Sequence, residues 1–231
     1  MFAAQDRSVL FDPWAEVYAV IVPWMWHYPW SDTERWVSQS LRGRQRILDA
    51  GTGPGYWLAV AARDEPRQLL AGIDISDAFL AVARQRLAGI DAKLYKTDIA
   101  YSGFGSGAFD AIVCAGVIDT VPDPGRLLSE FDRMLAENGV LLLVVRSGKT
   151  FTSRCLEVLF RLLAGLGHAW QIKSLKGFRL PSAMWQRSPI LPRLEDLLLP
   201  TSLSGTEVER KRLWTVVRLT KVVASNATKL M

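Results

Sequence analysis

From Arg44 to Ser147 the sequence swings between short, unbroken apolar runs and longer stretches with helical periodicity. The apolar runs sit in "RILDAG", "QLLAGIDIS", "AKLYKTDIA", "FDAIVCAG" and "VLLLVVRS". A strand with one wet face alternates apolar and polar residues, whereas a strand that stays apolar has both faces covered. Between the runs lie "GYWLAVAARD", "DAFLAVARQRLAGI" and "VPDPGRLLSEFDRMLAENG", all helical in pattern, and one loop, "YSGFGSG". Strand and helix in turn predict a parallel sheet with right-handed crossovers. Local signals mark the boundaries. Ser76 is a good N-cap and Gly89 closes the helix it starts; Asp123 caps the next, with Pro124 in its first turn and Asn138-Gly139 at its end.

The flanks differ from this core. Residues 10–38 are rich in Trp, Tyr and Pro and read as short helices and turns. After Ser147, "FTSRCLEVLFRLLAGLG" has the pattern of an amphipathic helix, and "HAWQIKSLKGFRLPSAMWQRSP" is irregular, basic and aromatic. "LPRLEDLLLP" reads as a short helix, and "TEVERKRL" with "WTVVRLTKVV" as a closing antiparallel pair. With 231 residues, 49% of them hydrophobic, the chain has enough apolar surface for one sizeable core. The expectation is one domain over 1–231. It comprises an N-terminal cap (1–40), a ligand-binding core (41–147), a substrate-side insertion (148–190) and a C-terminal helix with closing strands (191–231).

Composition narrows the setting. Cys114 and Cys155 match no metal spacing and predict no disulfide framework, so a reducing, cytoplasmic compartment is expected, with no metal. The opening "MFAAQDRSVLFDPW" lacks a basic region followed by an apolar run, as a secretory leader has. The uncharged stretch from Val17 to Ser31 is too short to span a bilayer and contains Pro23 and Pro29. Charge is uneven: residues 1–147 carry 14 basic and 18 acidic side chains, a balance of −4, and residues 148–231 carry 14 and 5, a balance of +9. The basic part either faces an anionic partner or is a solvated surface.

Chemistry points to "ILDAGTGPGYW", Ile47 to Trp57, where glycine recurs at every second position after the first strand and before a helix. That is where open α/β sheets bind ligands. Glycine lets a ligand lie on bare backbone, and free N–H groups at the helix start favour a negative group. A nucleoside triphosphate would require Lys and Ser or Thr at the loop end, but Gly55 is followed by Tyr56 and Trp57. A dinucleotide would require a third glycine where Tyr56 stands, which disfavours a dehydrogenase. The remaining candidate is S-adenosylmethionine, whose carboxylate can take the place of a phosphate.

Four motifs in order carry a family resemblance. "LDAGTGPG" resembles the first motif of class I S-adenosylmethionine-dependent methyltransferases, "GIDIS" and "KTDIA" the second and third, and "FDAIVCAGVIDTVPDP" the fourth. "LAENGVLLLVV" is similar to the segment after it, and the likeness covers about 45–147 and, weakly, 190–223. The resemblance implies a Rossmann-like, doubly wound, mostly parallel seven-stranded sheet with helices on both faces, an N-terminal aromatic helical cap and a helical insertion after strand five. It implies a cofactor site at Asp49, Ala50, Gly51, Thr52, Gly53, Gly55, Asp74, Ile75, Asp98, Ile99 and Cys114. Asp49 would orient the loop and the methionyl amino group, Asp74 would accept both ribose hydroxyls, Asp98 would meet the adenine amino group, and Ile99 would pack near the ring. Asp110, opening the fourth strand, reads as structural.

Methyl transfer needs a nucleophile aligned opposite the departing sulfur, and a base only if that nucleophile carries a proton that must leave. Many relatives carry a His after the fourth strand, near Asp119-Thr120 here, so a His-based mechanism is in doubt. Asp119, His27, His168 and Tyr18 are the weak catalytic candidates; Tyr18 lies in an opening similar to the "W-A-x-x-Y-D" of small-molecule and lipid methyltransferases, with Ala19 replacing the Asp. Residues 11–30 hold four of the nine tryptophans. Trp170, Phe178 and Trp185 sit among Lys173, Lys176, Arg179 and Arg187, with no acid from His168 to Arg193. Such a mixture suits a greasy pocket, a peripheral membrane contact or stacked bases, or simply a lid packed on the core. The expected acceptor is small and apolar or lipid-like. RNA or protein is the second choice, and a catalytically inactive, cofactor-binding partner subunit the third.

Overall fold

The inner strands of this protein are apolar on both sides because their neighbouring residues serve two different cores. Ile47 belongs to one buried cluster and Leu48 to the other; Leu142 and Leu143 divide in the same way. The computed structural model describes residues 12, 15, 31–63, 65–146, 191–210 and 214–222. In order, these form α1 (Ser31–Ser40), β1 (Arg46–Ala50), α2 (Tyr56–Arg63), β2 (Leu69–Asp74), α3 (Asp77–Arg86), β3 (Lys93–Lys96), β4 (Phe109–Ala115), α4 (Pro124–Met134), β5 (Leu135–Arg146), α5 (Leu194–Leu198), β6 (Leu203–Arg210) and β7 (Trp214–Lys221). Short 3-10 turns lie at Ile99–Tyr101, Ile118–Thr120 and Leu191–Arg193.

The described strands form one seven-stranded sheet in the order β3-β2-β1-β4-β5-β7-β6. β1 to β5 pair in parallel, and β7 runs antiparallel to both β5 and β6. Val37 of α1, Leu41 just after it, and Trp57, Leu58, Val60 and Ala61 of α2 line one cluster. Leu127, Leu128, Phe131 and Met134 of α4 and Leu194 of α5 line the other. This is the expected doubly wound, mostly parallel sheet, and the closing antiparallel pair is present, its second strand starting at Trp214 as expected and its first at Leu203, three residues before the expected Thr206. Strand order reverses between β1 and β4, so the crevice lies beyond the carboxyl ends of those two strands. At the opposite end, Asp110 clips the strands together: its carboxylate accepts the backbone N–H groups of Gln45 at 3.1 Å and Arg46 at 2.8 Å.

Capping follows the sequence. Ser76 accepts the Phe79 N–H, and Asp123 accepts that of Arg126 with Pro124 behind it. α3 ends at Arg86, and Gly89, at φ +85°, closes the turn after it. α4 departs from expectation: it ends at Met134, short of Asn138-Gly139. Leu135 is already paired with Phe109, and a register shift follows before Ala111 meets Val140. Asn138, at φ +59°, belongs to the turn within that irregular start of β5. β3 departs too, since it is an edge strand with mostly exposed side chains. The expected amphipathic helix, the basic aromatic stretch and most of the N-terminal cap lie outside the described residues. No helix among the described residues is long and apolar enough to cross a membrane.

Candidate functional site

β1 delivers Asp49 to the crevice, and the chain then turns on glycine. Gly51 is at φ +77° and Gly53 at φ +50°, a region that costs an L-residue about 1–2 kcal/mol. The loop is fastened to β2, because the N–H groups of Gly51 and Thr52 both donate to the Ile73 carbonyl at 2.9 Å. A Cβ on Gly51 would lie 2.3 Å from Cγ2 of Val117, in the loop after β4. The two loops of the switch point therefore touch. Among the described residues a Cβ on Gly53 would find only Cδ1 of Phe79, at 4.0 Å, so none of them closes its outer side to a close-lying ligand.

The close packing that a dinucleotide loop obtains from its third glycine is placed elsewhere here. A Cβ on Gly55 would press on Leu87 and Ala83 at 3.1–3.2 Å. One on Gly72, inside β2, would meet Leu94, Leu58 and Thr52 at 2.8–2.9 Å. With contact made at Gly55 and Gly72, the next position is released for Tyr56. Its hydroxyl donates to Glu34 of α1, which also pairs with Arg63.

Two carboxylates define the electrostatics. Asp49 is buried, and its Oδ2 accepts the Thr52 hydroxyl at 2.8 Å. Its Oδ1 is buried with no hydrogen-bond partner among the described residues. Burial pushes its pKa up to about 7; the Thr52 hydrogen bond opposes this and the charge of Asp74 adds to it. Asp74 ends β2, accepting Gly53 N–H on Oδ2 and Ser76 N–H on Oδ1, each at 2.9 Å. Burial raises its pKa, the N–H groups of Ser76, Gly53 and Ile75 hold it down, and Asp12 pushes it up.

The structure thus brings Asp49, Ala50, Gly51, Thr52, Gly53, Asp74 and Ile75 into one place, with Gly55 behind them. Asp98 follows β3 and accepts the Ala100 N–H at 3.0 Å, capping the turn that buries Ile99. Asp119 lies half-buried in the turn after β4. The Cys114 thiol is buried in the apolar cluster; burial raises its pKa, and the charges of Asp49 and Asp119 add to the effect. Tyr18, His27 and His168 lie outside the described residues. Two participants were not singled out in the sequence. Gly72 carries a signal, an isolated glycine inside an apolar strand. Asp12, hydrogen-bonded to Ser76, carries none.

Residues 48–143 match the family model described as "Methyltransferase domain". The chain is 33% identical over 109 residues to a malonyl-[acyl-carrier protein] O-methyltransferase of Legionella pneumophila, covering 46% of this chain and 38% of that one. It is 30% identical over 145 residues to a ubiquinone biosynthesis O-methyltransferase of Alkalilimnicola ehrlichii, covering 59% and 58%. It therefore spans about a third to three-fifths of the length of these curated relatives. Among solved structures, a SAM-dependent methyltransferase of Thermotoga maritima superposes with a TM-score of 0.63 at 18% identity, over 92% of this chain and 98% of that one. That likeness is one of fold.

Proposed function

We infer that this chain, whose residues 48–143 match the methyltransferase-domain model, is a class I S-adenosylmethionine-dependent methyltransferase that transfers a methyl group from that cofactor to a small, apolar or lipid-like acceptor. The observation that carries the reading is the pairing of an open glycine loop with two acceptors aimed at it. Gly53 leaves room for a ligand on its backbone, and the Asp49 Oδ1 is a buried acceptor with no donor among the described residues. A dry acceptor of this kind suits an ammonium group.

Bound here, S-adenosylmethionine supplies a methyl group on a sulfonium, which is already electrophilic. The chain's own work is to hold and align. Asp74 has both oxygens pinned by backbone N–H groups and lone pairs left for two ribose hydroxyls. Asp49 fixes Thr52 and takes the amino group. Asp98 and Ile99 bound the adenine. Asp119, beside the crevice, is the first candidate to accept a proton from an acceptor that must lose one; Tyr18, His27 and His168 are the other candidates. A lipid-like acceptor is supported by the tryptophan-rich residues 11–30 and by the substrates named for the two relatives above.

Thermal unfolding with S-adenosylmethionine, S-adenosylhomocysteine and NAD in parallel tests the reading. At about a hundred times its dissociation constant a ligand adds about 2.7 kcal/mol, a rise of about 5–11 °C for a chain of this size. The rise is expected with the two sulfur nucleosides only, and is lost in Asp74→Ala. A rise with NAD alone, or with none, refutes the proposal.

A further inference from the structure

The ribose acid is held from a second direction, by a residue far away in sequence. The Ser76 hydroxyl donates to Asp12 Oδ1 at 2.5 Å, bridging 64 positions. The Ser76 hydroxyl oxygen accepts the Phe79 N–H at 3.1 Å, and the Ser76 backbone N–H donates to Asp74 Oδ1 at 2.9 Å. Ser76 is fully buried. A serine hydroxyl has one proton, so the contact with Asp12 decides where it points and leaves a lone pair for the helix cap. Asp74 is bonded in turn to Gly53 of the glycine loop. Asp12, Ser76, Asp74 and Gly53 form one hydrogen-bonded chain running into the site.

We propose that Asp12 is a positioning residue for the ribose subsite, acting through Ser76 to hold the Asp74 carboxylate in the orientation that meets two ribose hydroxyls. The proposal rests on the cofactor reading above. Asp12 touches no reacting atom. Its role is to keep a buried hydroxyl satisfied, because such a group, deprived of its acceptor, turns toward another and disturbs the carboxylate beside it. The negative charge of Asp12 also bears on Asp74, which places the two groups in one electrostatic unit.

The test measures binding of S-adenosylhomocysteine and of its 2′,3′-dideoxy analogue to the full chain and to Asp12→Ala and Asp12→Asn, by calorimetry for the first ligand and competition for the second. Asparagine keeps an oxygen for the Ser76 hydroxyl, whereas alanine removes it. Asp12→Ala is expected to bind S-adenosylhomocysteine about tenfold more weakly than the parent, the effect of losing one charge-assisted hydrogen bond. Asp12→Asn is expected to recover most of that loss. The dideoxy analogue, which offers Asp74 nothing to bind, is expected to bind parent and Asp12→Ala equally. Equal binding of S-adenosylhomocysteine by parent and Asp12→Ala overturns the proposal, as does an equal loss for both ligands, the mark of a general structural defect. A parent that binds neither ligand overturns the cofactor reading itself, and this inference with it.

Discussion

If S-adenosylmethionine binds as proposed above, Asp49 makes that binding depend on pH in a way that can be worked out beforehand. Burial lifts its pKa from 3.8 to about 7, and its Oδ1 has no hydrogen-bond partner among the described residues. An ammonium group placed against it requires the carboxylate form. In the ligand-free protein about one molecule in eleven carries that form at pH 6 and about ten in eleven at pH 8, so affinity falls about tenfold between pH 8 and pH 6. Binding at pH 7 releases about half a proton. Calorimetry with S-adenosylhomocysteine, from pH 6 to 8 and in buffers of different ionisation enthalpy, measures both quantities. Asp49→Asn is expected to bind weakly and with no pH slope. Folding carries the opposite sign. The folded protein keeps a proton on Asp49 that the unfolded chain loses above pH 3.8, so this residue's contribution to stability declines as pH rises to about 7, by about 4 kcal/mol in all. Asp49→Asn, neutral throughout, is therefore expected to melt above the parent at pH 8 without ligand. A dissociation constant unchanged from pH 6 to 8, with no buffer-dependent heat, refutes the assignment of the proton to Asp49.

Two neighbouring glycines are expected to separate stability from binding. Gly51→Ala combines a left-handed backbone with a Cβ 2.3 Å from Val117, and is expected to cost about 2–5 kcal/mol, read as a large fall in Tm. Gly53→Ala bears only the backbone strain, about 1–2 kcal/mol, yet puts a methyl group on the open side and is expected to weaken S-adenosylhomocysteine at least about tenfold. Equal effects of the two substitutions on binding and on melting would contradict this division. Asp123→Ala removes the cap of α4, with an expected loss of about 1 kcal/mol and an unchanged dissociation constant. A binding defect there would show that α4 reaches the site.

The glycine loop, Asp49 and Asp74 were legible in the sequence because their constraints are local: a strand ends, the chain must turn, and an acid stands at a fixed offset. Asp123 and Ser76 were legible for the same reason. What was hidden depends on partners distant along the chain. The end of α4 is set by the pairing of Leu135 with Phe109, which overrides the stop signal at Asn138-Gly139 and leaves Asn138 in an irregular turn. The exposed side chains of β3 follow from its place at the sheet edge, which strand pattern alone does not reveal. Tyr56 argued against a dinucleotide, but the reason it is tolerated, close contact supplied by Gly55 and Gly72, appears only when α2, α3 and β2 are assembled. The contact of Asp12 with Ser76 has no sequence signature at all.

The contact between Gly51 and Val117 bears on how such a protein can change. One wall is shared by the loop after β1 and the loop after β4, so neither can be rebuilt alone. A bulkier residue at 117 is admissible only while position 51 stays bare, and a side chain at 51 demands a smaller one at 117. A mutant library that diversifies the β4 loop in search of new acceptors would therefore lose many members to a damaged donor site, and those losses would masquerade as failed specificity. Holding Val117 constant, or varying it jointly with Gly51, separates the two causes.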